Sequence, residues 1–185
     1  MPVSRPVLFG CAGAALALAL LLCSGGAALV WWAWPRREAP PQARTADVAE
    51  VERLVVAYTN EFRREQGRPP LKVNDRLTKA AGYFADYLAR TDRFSHSADG
   101  KQPSERATQH GYAWSVVAEN IGWAYNSGGF SSEELARELV EGWKNSPGHR
   151  RNMLDPDVTE IGVAVAYGKW SGRYYGAQEF GRPKS

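Results

Sequence analysis

The sequence predicts an α+β fold, a small antiparallel sheet covered by helices on both faces. Three observations lead there. Three segments repeat apolar residues every three and four positions, the period of an amphipathic helix. Two C-terminal segments alternate apolar and polar residues, the period of half-buried strands. The order helix, helix, short helix, strand, helix, strand, strand gives a sheet that can bury helical stripes on either side.

The first helix spans about Ala46 to Gln66, with Val48, Val51, Leu54, Val55, Tyr58 and Phe62 on its inner face. Gly67 and the Pro69-Pro70 pair end it. Asn74 caps a second helix that buries Leu77, Ala80, Ala81, Phe84, Tyr87 and Leu88 and stops near Arg93. Pro103 opens a short helix through Gln109, and Gly111 closes it. Residues 116–125, "VVAENIGWAY", read as a strand interrupted by a polar pair. Ser131 and Glu134 form a capping box for a third long helix through about Asn145, facing inward with Leu135, Leu139, Val140 and Trp143. "EIGVAVAYG" and "RYYGAQEF" are two antiparallel strands joined by the "GKWSG" turn. The aromatic residues Trp114, Trp123, Tyr125, Trp143 and Tyr175 are expected mostly in the core, with one or two available to wall a cleft.

Ahead of this domain, residues 1–35 contain an uncharged run from Pro6 to Pro35. As a helix it would extend about 45 Å, enough for a bilayer core of about 30 Å. Trp31, Trp32 and Trp34 stand at its outer end, where interfacial indoles concentrate. The run reads as a signal-anchor or transmembrane helix; the alternative is a signal peptide cleaved at "SGGAA", 24–28. Residues 36–46 form a Pro-containing tether, and the folded domain is expected at 47–182. Arg5 lies before the run and Arg36, Arg37 and Arg44 after it, so the flanking charges alone do not orient it outward.

The chain holds 23 Lys and Arg against 20 Asp and Glu. Setting aside Arg5, Arg36, Arg37, Arg44 and Glu38 leaves 19 of each sign, so the domain is neutral. A nucleic-acid binder needs a concentrated basic face, and none is legible. Cys11 and Cys23 both lie in the apolar run, which leaves the domain without disulfides or cysteinyl zinc sites.

Three residues stand out for chemistry. His96 follows a helix end in "RFSHSADG", Glu119 sits in a strand in "AENIGWAY", and His149 sits on a turn after a helix in "GWKNSPGHRRNML". Two imidazoles and a carboxylate suit zinc or another divalent cation with one position open to water. No short-range metal spacing links them, so each histidine can equally be a hydrogen-bonded surface or core residue. Ser146, three residues before His149, is a turn or cap residue rather than a nucleophile. His110 reads as a solvent-facing helix end, Arg150 and Arg151 as a solvated basic spot, and Asn120 as a backbone-bonding neighbour of Glu119 on the other strand face.

"FSHSADG", "AENIGWAY", "GWKNSPGHRRNML", "TEIGVAVAYG" and "YYGAQEFG" occur in one order. Together they resemble the CAP superfamily of cysteine-rich secretory, antigen 5 and pathogenesis-related proteins, in its bacterial SCP-like branch. The resemblance covers about Val48 to Gly181. It implies a three-layer α-β-α sandwich, an exported domain, and a central cleft in which two histidines and two acids meet. His96, Glu119 and His149 match three of those four positions. The second acid is expected three residues after a tryptophan; Trp143 is followed there by Ser146, with Glu141 or Glu160 as spatial substitutes. The expected activity is that of a membrane-tethered or secreted binding domain whose cleft takes a divalent metal, a lipid or sterol, or a cell-envelope component. The alternative is a metal-assisted hydrolase with Glu119 as general base.

Overall fold

The computed structural model describes residues 44–185, so the expected signal-anchor or transmembrane helix and most of the tether lie outside the described residues. Among the described residues no helix is long and apolar enough to cross a membrane. The elements follow in order: α1 Val48–Glu65, β1 Lys72–Val73, α2 Asp75–Thr91, α3 Pro103–Gln109, β2 Trp114–Ala124, α4 Ser132–Asn145, α5 Pro147–Leu154, β3 Glu160–Gly168 and β4 Arg173–Pro183.

Local chemistry sets the helix ends. The Asp47 side chain accepts from the Ala49 and Glu50 N–H groups, and Asn74 accepts from those of Arg76 and Leu77. Ser131 and Glu134 cap α4 reciprocally. Each such cap satisfies amides that the helix itself leaves unpaired, and contributes about 1 kcal/mol.

The sheet runs β1-β3-β4-β2, which makes β2 an edge. β3–β4 and β4–β2 are antiparallel, whereas the two residues of β1 pair parallel to β3. The sequence reading misses β1 because two residues carry no period. The turn past Pro69-Pro70 brings the Lys72 N–H to the Thr159 carbonyl and the Asn74 N–H to that of Ile161.

Strand alternation divides the core into two layers. Ile161, Val163, Val165, Tyr174 and Phe180 face α1, α4 and α5, meeting Val51, Val55, Phe62, Leu139, Trp143 and Met153. Ala164, Ala166, Tyr175, Ala177 and Ile121 face α2, meeting Phe84 and Leu88. Leu77, Ala107 and Tyr112 continue that layer under α3. The result is the α-β-α sandwich, with α2 set very close to the sheet. A Cβ on Gly162 would lie 2.2 Å from the Leu77 carbonyl carbon and the Thr78 nitrogen.

Two sequence expectations need correction. Residues 147–154 form α5 rather than a turn; Pro147 opens it, and only Met153 of its eight residues is buried, so no apolar period announces it. Trp123 and Tyr125 are exposed rather than in the core, because β2 ends at the sheet margin. Trp143 and Tyr175 are buried as expected.

Candidate functional site

Two consecutive cross-strand pairs of β2 and β4 are polar: Glu119 opposite Glu179, and Asn120 opposite Gln178. Adjacent strand positions point to opposite faces, so the first pair lies under α2 and α3 and the second under α1, α4 and α5. All four residues are buried.

On the second face the amides form a continuous chain. The Asn152 Nδ2 donates to Asn120 Oδ1 at 2.9 Å, Asn120 Nδ2 to Gln178 Oε1 at 3.1 Å, and Gln178 Nε2 to Thr59 Oγ1 at 2.8 Å. Asn120 Nδ2 also donates to the His149 carbonyl at 3.1 Å, and Asn152 Nδ2 to the Glu119 carbonyl at 3.1 Å. These bonds clamp α5 along the free edge of β2. They place His149 where a side chain can reach around that edge.

On the first face Arg106 of α3 gathers the acids. Its Nη2 donates to Glu119 Oε2 at 2.6 Å and its Nη1 to Asp99 Oδ1 at 2.8 Å. Its Nε lies 4.0 Å from Glu179 Oε1, and the guanidinium stacks 3.6 Å from the Phe84 ring centroid. A second Nη2 bond, to the His96 carbonyl at 2.9 Å, fixes the loop between α2 and α3. That loop delivers His96 Nδ1 to Glu119 Oε1 at 2.7 Å. An ionised carboxylate only accepts, so Nδ1 is the donor in this contact, and in the neutral tautomer Nε2 is the nitrogen that bears the lone pair.

The His96 and His149 rings then meet edge-on, with centroids 6.1 Å apart and planes inclined at 61°. The structure thus brings together all three residues singled out in the sequence, but not as equals. Both Glu119 oxygens are engaged and its side chain is 1% exposed, against 48% for His96. Glu119 stands behind His96 and orients it. Among the described residues no three His, Cys, Asp or Glu side chains converge as ligands of one ion.

The electrostatics follow from burial. Desolvation, then the charge of His96, lowers the His149 pKa below that of a free histidine. Glu179 is pushed well above the carboxylate range, first by desolvation and then by Glu119, with Arg106 opposing. Neither Glu179 oxygen has a donor partner, and a protonated Glu179 can donate to Glu119.

The proposed substitutes for the fourth acid lie elsewhere. Glu141 is exposed and pairs with Lys144, and Glu160 accepts from Asn74 and Tyr112. Ser146 separates α4 from α5. His110 caps α3 as expected, but burial, Lys101 and Lys79 lower its pKa, so its charged form is disfavoured there. The sequence reading misses Arg106 and Glu179. Glu179 leaves a trace: in β4 it has the parity of the buried Tyr175 and Ala177. Arg106 leaves none, since α3 is too short to show a period.

The residues fit a divalent cation in part. Two imidazoles, one of them backed by a carboxylate, are the kind of nitrogen ligands zinc takes. The ring separation approaches the limit at which one ion about 2 Å from a nitrogen of each ring serves both.

The chain is 31% identical over 119 residues to the uncharacterized protein YkwD of Bacillus subtilis (strain 168), a match covering 64% of this chain and 43% of that protein. The chain thus spans less than half the length of that relative. Its fold resembles an outer surface protein from Borrelia burgdorferi, with a TM-score of 0.66, 20% identity, and coverage of 77% of this chain and 99% of that one. It also resembles the crystal structure of NaASP2 with Zn2+, with a TM-score of 0.55, 15% identity, and coverage of 80% and 85%. Residues 56–180, more than half of the chain, match the model of the cysteine-rich secretory protein family, and the chain therefore belongs to the CAP family.

Proposed function

We propose that the domain is an exported binding module whose His96–His149 cleft takes up a divalent cation of the zinc type. The observation that carries this reading is the pairing of the two rings, 6.1 Å apart, with His96 held through Nδ1 by Glu119 at 2.7 Å so that its Nε2 is not used by that contact. Carboxylate backing of a ligating histidine fixes its tautomer and raises its basicity. His149 is biased to the neutral form that binds metal. Two imidazoles leave coordination positions for oxygen donors, such as a carboxylate or phosphate of a cell-envelope component.

The hydrolase alternative draws less support. A general base must come within hydrogen-bond reach of its substrate. Glu119 is buried with both oxygens already bonded, and His96 would have to serve instead.

The test is calorimetric titration of the purified protein with zinc, alongside His149→Ala and His96→Ala. The wild type should take up one ion per chain, and each variant should lose it. Equal zinc uptake by the wild type and His149→Ala would overturn the proposal.

A further inference from the structure

The far end of the sheet presents a surface that the cleft does not use. Trp123, Tyr125, Tyr167 and Trp170 are all exposed there, Trp170 at 95%. Trp123 comes from the end of β2, Tyr125 follows that strand, and Tyr167 and Trp170 belong to the β3–β4 hairpin; Trp123 opposes Tyr175 and Tyr167 opposes Tyr174. They crown that end from both faces of the sheet: Trp123 on the face of Tyr175, Tyr167 on the face of Tyr174, and Trp170 at the hairpin tip. The Tyr167 and Tyr174 ring centroids are 4.9 Å apart, Arg173 stacks 4.4 Å over Trp123, and a Cβ on Gly172 would lie 3.3 Å from the Tyr125 ring. Tyr125, Tyr167 and Tyr174 also line a groove of about 460 Å³ with Arg44 and Asn126.

An indole fully in water at a hairpin tip does nothing for the fold, and exposed aromatic clusters of this kind mark interaction surfaces. The chain path says which partner is near. Arg44 enters the domain at this end, where it bridges to Gly129, and its N–H donates to the Gly128 carbonyl. Only eight residues, 36–43, separate it from the uncharged run that ends at Pro35. Fully extended they reach about 28 Å. A bilayer holding that run therefore keeps this end of the domain within reach of lipid. Tryptophan and tyrosine are the side chains that favour the headgroup boundary, with an apolar body and a polar tip.

We propose that the aromatic end formed by Trp123, Tyr125, Tyr167 and Trp170 docks the domain onto the lipid headgroup layer of the membrane. The proposal rests on the reading of residues 1–35 as a membrane anchor. Of the nearby basic groups, Arg44 pairs with Glu134 and Arg173 with Asp92, which leaves the exposed Lys169 beside Trp170 as a single cation at the tip. Docking is therefore carried by the rings and should depend little on salt. It also leaves the cleft clear of the membrane, since Glu119 lies five residues, roughly 17 Å, back along β2 from Ala124.

The test uses the full chain in phosphatidylcholine vesicles, with and without added phosphatidylglycerol. Cys11→Ser and Cys23→Ser clear the background, and an environment-sensitive fluorophore is attached at Trp170→Cys or, at the opposite end, at Asp157→Cys. Position 170 should emit at shorter wavelength and be quenched several-fold more by headgroup-region spin-labelled lipid than position 157, at low and high salt alike. Flotation with the vesicles while both labels stay in water overturns docking and leaves the anchor standing. Quenching that needs phosphatidylglycerol and vanishes in high salt, or a response to soluble glycan fragments instead of vesicles, also overturns it. Failure to float overturns docking and anchor together. Alkaline carbonate extraction separates the two readings: an embedded run resists it, whereas a chain held by the rings alone is released although it gave the signal at 170.

Discussion

Glu119 and Glu179 stand directly opposite each other on β2 and β4, both buried, with one guanidinium, that of Arg106, beside them. Like charges opposite each other on a sheet destabilise it. Arg106 is already committed to Glu119 and Asp99, so Glu179 is the acid that gives up its charge.

This has a pH signature. An unfolded glutamate titrates near 4.3, and Glu179 in the folded domain titrates well above that. Between those values the folded state binds the extra proton, so its contribution is fully present at acid pH and is lost as pH rises through the window. Glu179→Gln keeps the shape and a donor for Glu119 without the titration. Urea unfolding should show the variant more stable at pH 7, by about 1–3 kcal/mol, with the gain gone near pH 4. A variant less stable than the wild type at pH 7 contradicts the assignment.

Arg106 carries the opposite prediction. Removing one member of a buried ionic group strands the others, at about 3–5 kcal/mol. Arg106→Met should lower stability by that order and free the His96 loop, which loses the bond to the His96 carbonyl. A cost below about 1 kcal/mol would mean that water already reaches these acids.

Gly162 tests the packing of α2 on the sheet. A methyl there meets helix backbone at 2.2 Å rather than a side chain that can swing away. Gly162→Ala should therefore cost more than the roughly 1–3 kcal/mol of ordinary overpacking, read by thermal melting. Near wild-type melting would show that α2 shifts freely.

Zinc uptake should follow His149 on acidification. A histidine with a lowered pKa stays neutral below the ordinary value of about 6.5 and becomes protonated only at lower pH. The same shift makes His149 oppose Glu179 in its effect on stability, its contribution being lost as pH falls. Titrations at about pH 7.5 and 5.5 should show affinity falling between them, as the ligating imidazoles take up protons. Affinity unchanged at about pH 5.5 contradicts imidazole ligation.

Most of the fold was legible because its helices and strands are long enough to show a period and carry recognisable caps. The short pieces were not. β1 has two residues, and α5 lies against an edge strand through hydrogen bonds of Asn120 and Asn152 instead of an apolar stripe. The site was legible in its membership, through the resemblance, but not in its arrangement. Which oxygen of Glu119 meets which partner depends on Arg106, and Arg106 is a long-range partner from a seven-residue helix. Glu179, the acid that does lie beside Glu119, stands across the ladder from it, a relation that only strand register reveals.

The most direct measurement is anomalous diffraction at the zinc edge from crystals of the protein grown with zinc. The account predicts one peak bonded to His96 Nε2 and to the His149 ring, with Glu119 still on His96 Nδ1 and Arg106. A map with no peak between the two rings, or with the ion bound directly by Glu119 and without His149, would contradict it.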